Sequence, residues 1–246
     1  MKYVDTGARD VEQSVAWWMQ KVAAEGPCEF RCQSGYFALE GSTVLLSALE
    51  DWAQRGSLMR VVLGSNRAST LASHVSYLAG RLGLPRPHIG LGIVSFDGAL
   101  FHPKVYHFRR ADGSEAAYVG SANFTGPGVS GLNVEAGIVI DTREGDDPNI
   151  LQSIRQRIDA WFDAGQEGVN PIGSPDDIQR LLEEGYLSLR AIDPPDEAGL
   201  ASAEKASSGP QRARRTPLFR LARIDKGADQ REAQGSQTPN STAPED

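Results

Sequence analysis

The feature that most restricts the fold is a change of period along the chain. Up to about residue 82, apolar strand-like runs alternate with helix-period segments, and from Ile89 onward short strand-like runs follow one another directly. Asp10 with Gln13 three residues on has the form of a capping box, and Val11, Val15, Trp18 and Val22 follow at helical spacing, with Trp17 and Trp18 expected in the core. Cys28 to Phe37 reads as a strand, and Leu45, Leu46, Leu49 and Trp52 as the buried face of a helix. Leu58 to Gly64 reads as a second strand and Ser69 to Arg81 as a second helix. This alternation predicts an α/β domain on a largely central sheet. The runs Ile89 to Phe96, His102 to Phe108, Ala116 to Val119 and Val134 to Ile140 then continue the sheet without helices between them.

A helix over Asn149 to Phe162, with Ile150, Ile154, Ile158 and Trp161 at helical spacing, closes this region. Ser174 followed by Pro175, Asp176 and Asp177 predicts a capped helix that stops at Gly185, expected as an appendage over 166–190 on a core of about 10–165. Residues 1–190 thus read as one domain. Beyond Ile192 the composition turns to Pro, Ala, Ser, Gly, Gln and charge, so 191–246 reads as a disordered polar tail with one basic stretch, Arg212 to Lys226. Cys28 and Cys32 are too far apart on a strand to bridge, which excludes a disulfide scaffold, and they lack companion ligands for a metal. No apolar run approaches the roughly 18 residues of a membrane span, and Met1 to Glu12 has no apolar leader, so a cytoplasmic protein is expected.

A net charge of -7 argues at first against a polyanionic partner, but the placement is uneven. Between Trp52 and Arg110 there are eight basic residues and one acid, Asp97. Lys104 is the only lysine between residues 22 and 204.

Three stretches then put polar residues two apart where strand interiors should be apolar. They are His102 and Lys104, Ser121 and Asn123, and Asn133 and Glu135, each pair expected on one face of a strand. Converging in one sheet, they suit phosphoryl chemistry. A neutral imidazole can attack phosphorus to give a phosphohistidine. A carboxylate on its far nitrogen would fix the tautomer and stabilise the cation. Lysine and asparagine donors would hold the equatorial oxygens as charge develops. No acidic cluster accompanies them, so neither a metal nor another cofactor is expected.

His102-x-Lys104, Gly120-Ser121-x-Asn123 and Asn133-x-Glu135, in that order, resemble the HxK and GSxN signature of the phospholipase D superfamily, and more closely its single-motif bacterial nucleases and restriction endonucleases. Small phospholipase D-like proteins of phage-defence operons are a less specific resemblance. The likeness covers roughly residues 10–165, with Ser34 to Phe37 and Val61 to Gly64 resembling the opening of such a domain. It implies a mixed β-sheet flanked by helices and a catalytic set of His102, Lys104, Ser121, Asn123 and Glu135. Where the family often carries an aspartate five residues after the lysine, this chain has Arg109, which weakens a lipase reading more than a nuclease reading. The family's active site needs two HxK motifs. His74, His88 and His107 all lack the lysine, so the resemblance implies a homodimer in which two His102 side chains face one phosphate.

The expected activity is therefore a metal-independent phosphodiesterase acting on nucleic acid, DNA favoured, with Arg67, Arg109 and Arg110 as candidate contacts to the strand. A phospholipid phosphodiesterase and a catalytically quiet nucleic-acid-binding subunit of a defence complex, docked to partner proteins, stay open beside it. No membrane partner is expected.

Overall fold

The computed structural model describes residues 1–8, 10–40, 42–163 and 166–190, with the backbone of Ala213 and Arg214. The strands are β1 (Lys2–Asp5), β2 (Glu29–Ser34), β3 (Leu58–Gly64), β4 (Ile89–Val94), β5 (Phe96–Asp97), β6 (Lys104–Arg109), β7 (Glu115–Gly120), β8 (Ala136–Asp141), β9 (Val169–Ile172) and β10 (Ala213–Arg214). The helices are α1 (Val15–Ala24), α2 (Thr43–Gln54), α3 (Ala72–Leu82), α4 (Gly126–Ser130), α5 (Pro148–Asp159) and α6 (Pro175–Glu183).

Eight strands form one mixed sheet in the order β1-β8-β7-β6-β2-β3-β4-β9. Only β2-β3 and β3-β4 are parallel, joined through α2 and α3, whereas β6, β7 and β8 form an antiparallel run. The change of period in the sequence is this change of topology, since parallel neighbours need a helical crossover and antiparallel ones do not. β5 pairs in parallel with β10 outside the main sheet. The remainder of the expected tail lies outside the described residues.

One face of the sheet buries the large core. Phe30, Tyr106, Phe108, Tyr118 and Trp52 meet there under Trp18 and Val22 of α1, Leu49 of α2, Val75 and Leu78 of α3, and Leu181 of α6. The other face is covered by α5, which Arg31 of β2 pins in place. Arg31 is 3% exposed and reaches Asp159 through Nε at 2.7 Å and Nη2 at 3.0 Å, and Glu29 through Nη1 at 2.6 Å. A buried cation needs such partners, because unpaired it would cost several kcal/mol.

Several expectations change in detail. Asp10 caps a short 3-10 turn at Val11–Gln13, and the helix N-cap is Ser14, whose hydroxyl accepts from Trp17 N–H. Trp17 is half-buried, flanked by the ammonium groups of Lys2 and Lys21. In α5 it is Leu151 and Ile158 that face inward, and Ile150 is exposed. The segment 166–190 is part of the domain: β9 pairs antiparallel with β4, and Ile178 and Leu181 of α6 join the main core.

Candidate active site

Because β6 and β8 run opposite to β2 and β7, the ends of β2 and β7 and the starts of β6 and β8 fall at one end of the sheet. All the motif residues sit there. Ser34 pairs with Lys104, and the pairing of Val105 with Val119 puts Lys104 level with Gly120.

The placement differs from the expected pairs on strand faces. Only Lys104 lies in a strand. His102 is in the loop before β6, where Pro103 cannot donate to a ladder; Ser121 and Asn123 lie in the loop after β7; Asn133 and Glu135 precede β8. Freed from the pleat, these side chains reach one another across the strand ends. Ser121 Oγ donates to Glu135 Oε2 and accepts from Ala136 N–H at 3.0 Å. Asn133 Nδ2 donates to Glu135 Oε1 at 3.2 Å. Glu135 is buried, and its own backbone is held on both sides by Thr6.

His102 itself is exposed, while Lys104 is buried and its Nζ donates to the His102 carbonyl at 3.0 Å. The Tyr36 ring stands edge-on to the His102 ring, 5.7 Å between centroids at 81°. Tyr36 N–H donates to Asn123 Oδ1 at 3.1 Å, which fixes the amide and leaves its NH2 as the donor for a ligand. Tyr36 thus links the two halves of the site, His102 with Lys104 and Asn123 with Ser121 and Glu135.

Residues to which the sequence alone assigned no catalytic role hold this arrangement. Asn66, 1% exposed, grips the His102 loop and the β2 loop together. Its Nδ2 donates to Gly35 and Phe101 carbonyls, each at 3.0 Å, and its Oδ1 accepts from Phe101 N–H at 2.9 Å. Ser34 Oγ accepts from Phe124 N–H at 2.7 Å and donates to the Tyr36 carbonyl at 2.6 Å. Tyr106, whose phenol burial keeps protonated far above its ordinary range, donates to the Ala122 carbonyl at 3.1 Å. Gly35 has a packing reason that its motif hinted at: a Cβ there would meet His102 Cα and Cδ2, each at 3.0 Å.

The candidate strand contacts divide. Arg110 is 3% exposed, and its guanidinium is bound to Glu25 and bidentately to Asp141 at 3.1 and 2.7 Å. Arg109 ends β6 at the far end from Lys104 and bonds Glu29 at 2.9 Å. Arg110 is thus a buried structural ion pair and not a nucleic-acid contact, while Arg109 keeps 38% of its side chain exposed beside Glu29. Arg55 pairs with Asp51 and Arg81 with Glu50, while Arg86 donates to the Ala53 carbonyl, so most of the basic block is occupied within the fold. Arg67 follows Asn66 at the site end, in a left-handed conformation with φ 53°. His107 stands apart from His102: it is buried and bonded to Glu115 at 2.9 Å, with burial pushing its imidazole pKa down against the upward pull of that carboxylate.

Beside His102 a cleft of about 380 Å³ opens toward α5, lined among others by Gln33, Phe101, His102, Arg157, Trp161 and Gln166. Among the described residues no cluster of three or more His, Cys, Asp or Glu is placed to hold a metal ion. Likewise among them, no helix is long and apolar enough to cross a membrane.

A family profile described as cardiolipin synthase, PLD-like domain, matches residues 28–164. No curated protein matches the chain. Among solved structures, Nuc from Salmonella typhimurium, a phospholipase D family member, aligns at 18% identity and a TM-score of 0.49 over 70% of this chain and 97% of its own. NucT from Helicobacter pylori aligns at 13% identity and 0.42 over 65% and 95%. A variant of yeast tyrosyl-DNA phosphodiesterase aligns at 12% and 0.34 over 49% and 27%.

Proposed function

The chain belongs to the family described as cardiolipin synthase, PLD-like domain, and is an enzyme of the phospholipase D superfamily; on that premise we propose that it hydrolyses phosphodiester bonds of nucleic acid, DNA favoured, through a phosphohistidine formed on His102 in a homodimer. The observation that carries this reading is the exposed His102 imidazole on a backbone fixed by Asn66 and Lys104, at the strand ends where Asn123 and Glu135 also gather.

In the first step a neutral His102 nitrogen attacks phosphorus, the P–O bond to the leaving group breaks, and that oxygen takes a proton from the imidazolium of His102 in the second copy. In the second step water attacks the phosphohistidine, giving its proton to that same second imidazole; the N–P bond breaks and the product monoester leaves. The Lys104 ammonium and the Asn123 NH2 are the donors suited to the equatorial oxygens. Asn133 and Ser121 hold the Glu135 carboxylate at the rim. The preference for nucleic acid over lipid rests on the likeness of the motif set to single-motif nucleases and on Arg109 in place of the aspartate. A role in phage defence, alone or with partner proteins, is compatible with that likeness.

The need for two copies is supported by the single HxK motif and by exposed apolar side chains beside the half-site. Leu132 is 79% and Val134 76% exposed, on either side of Asn133, with Val119 and Ile138 paired on the neighbouring strands at 38% and 43%. The active protein is expected to sediment at twice the chain mass of 26.5 kDa and to retain full nuclease activity in excess EDTA. Activity in a monomer, or its disappearance on chelation, would remove the mechanism.

A second reading draws on the same exposed residues. Leu132 and Val134 would also suit a lipid surface, and the family description names a phospholipid enzyme. Co-sedimentation with anionic vesicles and turnover of phosphatidylglycerol, without nuclease activity, would put this reading first.

A further inference from the structure

The cleft beside His102 bears on which nucleic acid the site takes, and it extends from His102 toward α5, away from the other motif residues. Its walls combine two kinds of group. Trp161 and Phe101 meet edge-on, 5.1 Å between centroids at 81°, with Phe96 6.3 Å from Trp161, giving an aromatic side that is half-buried at Trp161. Opposite in character are the amides of Gln33 and Gln166 and the guanidinium of Arg157. Among the described residues no carboxylate lines the cleft. Arg157 is exposed and makes no ion pair among the described residues, unlike Arg31, Arg109 and Arg110.

A volume of about 380 Å³ is at the lower end of small-ligand sites, which run from roughly 300 to 1,000 Å³. It suits one nucleotide and not a duplex. Aromatic rings offer a stacking surface to any base, amides pair with base edges, and arginine grips phosphate. His102 is part of the lining, so a nucleotide seated here would adjoin the phosphate under attack.

We infer that this cleft seats one unpaired nucleotide next to the scissile phosphate, its base against Trp161 and its outer phosphate on Arg157, so that the enzyme acts on single-stranded nucleic acid. The inference rests on the nuclease reading above and adds the strandedness of the substrate and two residues that select it. In a duplex the same base is stacked and paired, and must be turned out before it can reach Trp161.

The test compares one labelled oligonucleotide, single-stranded and annealed, with bis(p-nitrophenyl) phosphate, which has no neighbouring nucleotide to seat. Wild type is expected to cut the single strand at least tenfold faster than the duplex. Arg157→Gln, on the exposed side of α5, and Trp161→Ala are each expected to lower the ratio of single-strand to bis(p-nitrophenyl) phosphate turnover about tenfold, which for Trp161 lies within the range that one stacked base contributes. Trp161→Ala should also reduce the preference for the single strand. If both variants leave the ratio unchanged, or if wild type cuts duplex as fast as single strand, the inference fails while the nuclease reading stands. If wild type turns over bis(p-nitrophenyl) phosphate and no nucleic acid, both fail.

Discussion

His102→Ala is expected to abolish phosphodiester hydrolysis and to leave the fold intact. Removing the attacking group of an enzyme that works through a covalent intermediate costs roughly four to six orders of magnitude in turnover, and no other histidine can stand in. His107 is buried under α5 and bonded to Glu115, His88 precedes β4 at the other end of the sheet, and His74 sits against Phe37, 3.1 Å from Glu40. The side chain of His102 is exposed and meets the Tyr36 ring edge-on, so stability should change by no more than about 0.5 kcal/mol. Turnover of bis(p-nitrophenyl) phosphate and a thermal melt read the two effects. The same variant tests the need for two copies. If one chain supplies the nucleophile and the other the acid, a hybrid of wild type and His102→Ala is inactive for the full cycle. After subunit exchange, activity should then fall as the square of the wild-type fraction. A linear fall would mean that each chain works alone, and the proposed mechanism would be lost.

The parts of this site differ in how far the sequence reveals them, and the reason is range. The strand Leu58–Gly64 and the crossover helices are written in local periodicity, and the structure has them where the pattern puts them. The HxK, GSxN and NxE motifs are visible because their polar residues interrupt apolar runs. What they do not show is that they sit at strand ends: i, i+2 spacing is the same in a strand and in the loop that leaves it. The edge strands β1 and β9 are four residues each, one bounded by charges and the other holding Pro171, so they carry little period of their own. The basic block reads as a nucleic-acid track only while its partners are unseen. Arg110 meets Glu25 from 85 positions away, and Arg31 meets Asp159 from 128, and no local pattern announces either. Charge counted along the chain therefore overstated the positive field of the folded surface. Arg157, at the cleft, lies outside the block altogether.

Asn66 is the extreme case, one polar residue in the polar run Ser65 to Thr70 after a strand with nothing to set it apart from its neighbours, and Asn66→Ala is expected to cost both stability and activity. The substitution leaves Phe101 N–H and the Gly35 and Phe101 carbonyls without their buried partner. Each such group costs roughly 1–3 kcal/mol, so a loss of about 3 kcal/mol is expected, or about 10 °C in melting temperature at roughly 2–4 °C per kcal/mol. Activity should fall further than stability explains. Phe101 precedes His102, and a displacement of about 1 Å in an attacking group can cost on the order of 100-fold. A core control separates the two effects. Leu78→Ala removes a fully buried side chain of α3, at a cost of about 2–5 kcal/mol, without a bond to the site loops. Measured at 25 °C, where both variants remain folded, Leu78→Ala should keep near-normal turnover per folded molecule and Asn66→Ala should lose about 100-fold, chiefly in kcat. Equal turnover in the two variants would reduce the Asn66 bonds to structural ones, and the positioning of His102 would then be assigned to Lys104, Tyr36 and the close packing of Gly35.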